Sequence, residues 1–255
     1  MADPTKYTIE ATETSLTILE ALVDQDGPTG VTALAERVGS SKSVVHNHLS
    51  TLEASGYVLK DGTQYRPSLR TLNLGVRTRE QLPVFRIAKP LLDNLAAATG
   101  ETATLFVREE EGGVPVYVVE PSDESISNLR EGERLPLPEN APGRAILSTL
   151  SDERIDEILD DAELVARTDS TLTDPEELRE RVRQIRDSGI SFCREEQAEG
   201  VVSAAAPIET RNDRSNAALG VYGPADRLQG RYLEEDLTGQ ILSTAKSVRV
   251  TLTNL

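Results

Sequence analysis

The 255-residue chain carries two histidines, His46 and His48, and one cysteine, Cys193. These residue types most often act as bases, nucleophiles and metal ligands near neutral pH, so their placement limits the chemistry. Residues 49–255 contain no histidine. A Ser-His-Asp or Cys-His arrangement therefore cannot form within that part, and a Cys-His zinc site is excluded there because Cys193 stands alone. No Walker or dinucleotide-type glycine loop is present. The 43 Asp and Glu residues could in principle do acid–base work, but most read as solvated surface. The expectation is no catalytic residue, no metal and no cofactor.

The histidines belong instead to a polar helical face. In SSKSVVHNHLSTLEASG, Val45, Leu49 and Leu52 fall at i, i+4 and i+7, and Ser43, His46, Asn47 and Ser50 lie opposite them. Ser40 or Ser41 can cap this helix, with Lys42 at its mouth. Such side chains suit base edges in the major groove: Asn pairs with adenine, Ser and His donate or accept, and Lys meets phosphate or guanine. A helical hairpin with a merely solvated polar face fits the same stretch equally well.

The elements needed to position such a helix decide between the two. A preceding short helix (Val31, Leu34, Ala35, Val38) breaks at Gly39, and an earlier stripe over Ser15–Val23 ends before Asp26-Gly27-Pro28. Downstream, Gly56 stops the polar helix. Tyr57–Lys60, Asp61-Gly62-Thr63 and Gln64–Arg66 then read as strand, tight turn and strand. Three helices and a hairpin make a winged helix, whose hairpin brings Lys60, Thr63, Gln64 and Arg66 to the DNA backbone or minor groove. The DNA-contact set is thus Ser41, Lys42, Ser43, His46, Asn47, Ser50, Lys60, Gln64 and Arg66, and the partner is double-stranded DNA.

Beyond the wing, a helical linker is expected from Leu69 to about Gln81, ended by Pro83. Helix follows to about Gly100, then strands over Thr102–Arg108, Val114–Val119 and Ser125–Leu129, with Gly112-Gly113 turning the first hairpin. Helices are expected over Gly143–Thr149 and Ser151–Asp160, and another opens at Thr173-Asp174-Pro175 and ends at Gly189. Strands near Val201–Ile208 and Ala217–Tyr222 precede a last helix from about Leu233 to Leu252.

The blocks LAERVGSSKSVVHNHLSTLEASGYV, QYRPSLRTLNLG, FRIAKPLLDNLAAATGETATLFV, REGERLPLPENAPGRAIL, GISFCREEQAEGVVSAAAPI and LGVYGPADRL together resemble an IclR-type transcription regulator, over nearly the whole length. The resemblance implies an α+β chain. Residues 1–68 would form an N-terminal winged helix-turn-helix, residues 69–82 a linker helix, and residues 83–255 a GAF-like α/β effector-binding domain with an antiparallel sheet. It also implies a homodimer or a dimer of dimers.

For that larger domain, residue chemistry points to LPLPENAPGRAIL, where a helix start at Pro142-Gly143 could present free amides to a small carboxylate. An ordinary helix start reads the same way. The resemblance adds the corresponding segment (Asn140, Ala141, Pro142, Gly143) as a wall of the effector site, with Cys193, Val201, Ser203, Gly220 and Tyr222. It also marks departures, because relatives commonly have an acid at Cys193, a cysteine at Ser203 and small hydroxyl residues near Gly220 and Tyr222. With no histidine or metal, a ligand would be held by backbone amides, hydroxyls and Asn128 or Asn140, which suits a small hydroxy, keto or sugar acid. A ligand-free dimerisation scaffold is the other reading.

The formal net charge is −16. Residues 1–80 hold 8 Lys and Arg against 10 Asp and Glu; the remainder holds 19 against 33. The acidity lies mostly outside the DNA-binding part. Only 5 of the 27 basic residues are Lys, a composition that fits an extreme halophile, whose cytoplasm screens like-charge repulsion. Concentrated salt weakens phosphate attraction through counterion release, so base contacts and two-fold avidity carry more of the binding. No run of the sequence is long and apolar enough to span a membrane, no signal peptide is evident, and the expected location is cytoplasmic.

Overall fold

Over residues 10–54, buried positions recur at helical spacing in three successive helices. The computed structural model describes residues 7–121, 127–209 and 216–254 and divides into two compact units, residues 1–78 and 79–255. In the smaller unit, α1 (Glu10–Val23), α2 (Val31–Arg37) and α3 (Lys42–Ala54) pack with a three-stranded sheet ordered β1 (Thr29–Gly30), β3 (Gln64–Pro67), β2 (Val58–Asp61). Gly39, at φ +66°, breaks the chain after α2 where a Cβ would be strained. Of the two candidate serines, Ser41 caps α3, its hydroxyl accepting the Val44 amide at 3.2 Å. Ile18, Leu22, Leu34, Val45, Leu49, Val58 and Tyr65 form the core, and burial of a residue such as Leu49 stabilises by about 2–3 kcal/mol.

The helix α4 (Arg70–Glu80) follows. Its first residue fastens it to the winged unit: the Arg70 guanidinium lies 4.9 Å from the Tyr57 ring and donates to the Ser55 carbonyl at 3.0 Å.

In the larger unit, α5 (Pro83–Thr99) closes at Gly100 in the left-handed conformation. The strands are β4 (Thr102–Glu109), β5 (Gly112–Val119), β6 (Leu135–Pro136), β7 (Ser191–Arg194), β8 (Val201–Ile208) and β9 (Ala217–Pro224), paired antiparallel in the order β6-β5-β4-β9-β8-β7. Strand alternation sorts the side chains between two layers. Ala103, Leu105, Val107, Val202, Ala204, Ala206, Leu219 and Val221 pack in one core with α5 and α9 (Thr238–Thr253). Phe106, Cys193, Ala205 and Ala218 pack in a second core with α6 (Ala141–Leu147), α7 (Asp152–Asp161) and α8 (Pro175–Ser188). Asp174 caps α8 by accepting the Glu176 and Glu177 amides, and Gly189 ends it at φ +74°.

Two expectations require correction. Gly112 and Gly113 do not turn the first hairpin; they begin β5, and Glu110 at φ +54° stands in the turn. They are small because a Cβ on Gly112 would lie 2.4 Å from Arg134 Cγ, and one on Gly113 3.2 Å from Leu137 and Phe106 atoms. Of the strand expected at Ser125–Leu129, Ser125 and Ile126 lie outside the described residues and 127–129 are not in a strand; the sheet edge is made instead by β6. The last helix opens with a π-helical turn, Tyr232–Leu237, before α9 begins.

Candidate functional site

On α3, Lys42, Ser43, His46, Asn47 and Ser50 are exposed, opposite buried Val45, Leu49 and Leu52. Ser41 is exposed too, but its hydroxyl serves as the cap. Ser50 Oγ donates to the His46 carbonyl at 2.9 Å and keeps its lone pairs to accept from a base N–H donor. His48 turns away from this face, its Nδ1 2.8 Å from Ser15 Oγ of α1. The wing does not gather Lys60, Gln64 and Arg66 on one side. Gln64 and Arg66 stand opposite Asp61 and Leu59, whereas Lys60 stands opposite Tyr65 with its ammonium 5.4 Å from that ring's centre. All three are exposed.

The second site lies on the α6–α8 side of the larger sheet. Strand register sets Thr102, Tyr222, Ser203 and Cys193 directly across from one another, and Thr104, Gly220, Ala205 and Ser191 in the adjoining row. The structure thus brings together Cys193, Ser203, Gly220 and Tyr222, with Val201 half-buried one step along the same face of β8. Pro142 of α6 covers Gly220 so closely that a Cβ there would lie 2.7 Å from Pro142 Cγ and 2.9 Å from Thr104 Oγ1. Only glycine fits beneath that proline.

The rows are buried and packed. Tyr222, at 1% exposure, fills the space, and Tyr222 Oη, Ser203 Oγ and Ser191 Oγ have no hydrogen-bond partner among the described residues. Burial, with the Glu196 carboxylate adding to it, pushes the Cys193 thiol up to about 12, and burial raises the Tyr222 phenol well above its ordinary value. Near neutral pH both remain uncharged, so the rows offer neutral donors and acceptors. Tyr222→Phe removes a buried hydroxyl with no partner. It is expected to leave stability unchanged or raise it by up to ~2 kcal/mol; a loss above about 1 kcal/mol on urea unfolding would mean the hydroxyl is bonded after all.

The expected amide receptor at the start of α6 is not free at Gly143. Asn140 is buried and caps the helix: its Oδ1 accepts the Gly143 amide at 2.7 Å and its Nδ2 donates to the Pro136 carbonyl at 3.2 Å. Ala141, Pro142 and Gly143 are buried against the 3-10 turn Leu137–Glu139. Asn128 is exposed, at φ +49° in a loop, and the structure does not bring it to the rows.

The strongest polar feature beside the rows was not anticipated. Arg144 of α6 is fully buried and holds Glu196 in a bidentate pair at 3.0 and 2.6 Å, while its Nε donates to the Pro138 carbonyl at 2.6 Å. Thr168 and Thr171 strap the loop that carries Glu196, donating to the Glu195 and Glu196 carbonyls at 2.7 Å each. A lone arginine inside the apolar run APGRAIL was the signal; the 52-residue separation from its partner hid the reason. A separate open groove of about 580 Å³ runs along Leu135, Pro136, Pro138 and Ile158, and its walls include none of the residues of the two rows. Among the described residues, no group of three or more His, Cys, Asp or Glu side chains is placed to hold a metal ion. No helix among them is long and apolar enough to cross a membrane.

A winged helix with an exposed polar recognition face, followed by an antiparallel α/β unit with a buried polar site, defines a DNA-binding transcription regulator. The chain belongs to the IclR family: the IclR helix-turn-helix domain matches residues 11–62, and the bacterial transcriptional regulator IclR C-terminal domain matches residues 76–250. It is 31% identical over 224 residues to the HTH-type transcriptional regulator KdgR of Escherichia coli, covering 86% of this chain and 83% of the relative. It is 26% identical over 249 residues to the acetate operon repressor of Salmonella typhimurium, covering 96% and 90%. Among solved structures, Thermotoga maritima IclR superimposes with a TM-score of 0.82 at 26% identity, covering 96% of this chain and 99% of that one. Members of this family regulate transcription and are not enzymes.

Proposed function

We propose that the chain controls carbon or sugar catabolism genes in the cytoplasm of a halophile, in response to a small oxygen-rich metabolite. On this reading residues 1–68 read DNA, residues 69–82 link, and residues 83–255 bind the effector and oligomerise. The exposed polar face of α3 carries the DNA assignment. The hydroxyl-lined rows of Ser191, Ser203, Tyr222 and Thr104 support an oxygen-rich ligand. The name of the acetate operon repressor supports a carbon-source pathway, and the surplus of 43 acidic over 27 basic residues supports a salt-rich cell. An acid held by Arg144 would have to compete with Glu196, since that pair already neutralises the one buried guanidinium described beside the rows.

The DNA reading is tested by comparing two kinds of variant on a site selected from random duplexes. Asn47→Ala is expected to weaken that site by about 1–3 kcal/mol and relax one base pair, whereas Lys42→Ala should weaken all sequences alike. Equal loss on selected and random DNA for Asn47→Ala would remove Asn47 from the readout.

A homodimer is supported by α4, which buries none of its residues, with Leu72 in it exposed at 60% and Leu69 just before it at 79%. With Val76 they lie at i, i+3 and i+7, one stripe that a second copy can cover. Light scattering in molar KCl should give at least twice the chain mass, and a chain-sized mass would overturn the assignment. Tyr222 and the closed Arg144–Glu196 pair favour a second reading, in which the larger unit is a ligand-free scaffold. A thermal midpoint unmoved by a panel of hydroxy, keto and sugar acids would select it.

A further inference from the structure

From the reading face of α3 we infer a further specificity-determining residue: Val44 reads the 5-methyl group of a thymine beside the base pair that Asn47 contacts. Val44 is not part of the helix's buried stripe; it is 39% exposed, in the first turn of α3, where recognition helices meet base edges. Its position is fixed twice over. Its amide is held by the Ser41 cap at 3.2 Å, and a β-branched side chain in a helix has one strongly preferred rotamer. At helical spacing Val44 neighbours Asn47 at i+3 and Thr51 at i+7, on the flank of the face away from His46.

An exposed valine among Ser43, His46, Asn47 and Thr51 does nothing for the core, and it offers DNA no hydrogen bond. What it can cover is the apolar group that the major groove displays, the thymine methyl. Asn47 pairs with the N6 and N7 edge of adenine, and the side chain one helical turn behind it falls within reach of the same or the adjoining pair. Recognition there combines one bidentate hydrogen bond with one methyl contact. In concentrated salt the methyl contact keeps its strength, because burying apolar surface releases no counterions.

The test uses the full chain and the duplex it enriches from a randomised pool. Each thymine of that duplex is replaced in turn by deoxyuridine, which deletes only the methyl group. Wild type is expected to lose about fourfold in affinity at one thymine next to the Asn47-sensitive pair, the equivalent of roughly 0.8 kcal/mol for one buried methyl. Val44→Ala should bind thymine and deoxyuridine duplexes equally, and Val44→Thr, which keeps one methyl, should retain part of the difference. Matched thermal midpoints would confirm that the exposed substitution leaves the fold alone. The inference fails if no thymine replacement weakens wild type, or if Val44→Ala shows the same fourfold loss. It rests on α3 as the reading helix, and Asn47→Ala on the same duplex separates the two: no effect there sinks the reading of α3, while relaxed preference without methyl dependence sinks only the role of Val44.

Discussion

Glu196→Ala is expected to destabilise the larger unit by about 3–5 kcal/mol, because it strands the Arg144 guanidinium at zero exposure with only the Pro138 carbonyl for company. For a unit of this size that corresponds to a fall in thermal midpoint of roughly 6–20 °C. Part of the loss is indirect, since the Glu196 side chain also anchors the loop strapped by Thr168 and Thr171. Replacing both partners, as in Arg144→Met with Glu196→Leu, should recover most of the stability by removing the unpaired charge together with its partner. Scanning calorimetry in concentrated KCl on the single and double variants completes the cycle. A single-variant loss below about 1 kcal/mol would mean that water reaches Arg144 and the pair is not a buried one.

Gly143→Ala should do comparable damage by a steric route. A Cβ at Gly143 would stand 2.2 Å from the Leu137 carbonyl oxygen and 2.7 Å from Leu137 Cα. Both are backbone atoms, which cannot swing aside as a side-chain tip can. To admit the methyl group, the Leu137–Glu139 turn must move away from α6, and that movement also pulls on the Asn140 cap and on the Pro138 carbonyl that receives Arg144. Overpacking ordinarily costs about 1–3 kcal/mol and a lost cap about 1 more, so a total of roughly 3 kcal/mol is expected. Gly75 in α4 supplies the contrast. A Cβ there meets nothing within 4 Å, and Gly75→Ala should stabilise by up to ~1 kcal/mol. Equal behaviour of the two alanine variants on calorimetry would remove the steric argument.

Local features were legible in the sequence and long-range ones were not. Ser41 and Asp174 as caps and Gly100 and Gly189 as helix ends follow from side-chain chemistry within a few residues, and each stands where that chemistry puts it. The strands β1 and β6 have two residues each, and β7 has four. Such segments are too short for alternation to show; β1 and β6 pair with strands well separated along the chain, while β7 pairs with the strand that follows it. The glycines at 112 and 113 were read through turn chemistry, whereas crowding by Arg134, Leu137 and Phe106 is what requires them. At the candidate site, Cys193, Ser203, Gly220 and Tyr222 came from a resemblance and stand together. Asn140 was misjudged because an asparagine able to hold a ligand and one able to cap a helix look alike until the helix start is located. Ser191 and Thr104 went unremarked although they share the parity that puts hydroxyls on one face.

The burial of Cys193 has a use of its own. The thiolate is the form that attacks an alkylating reagent, and this thiol is buried, with burial pushing its pKa up to about 12. Reaction at mildly alkaline pH therefore requires an opening that exposes Cys193, at the α6–α8 layer packed over it or at the β7 edge. As the chain's one cysteine, it turns modification into a clock for opening around that site, whose rate follows the population of open molecules when closing outruns reaction. A metabolite that tightens the hydroxyl rows would slow the clock whether or not it alters the grip on DNA.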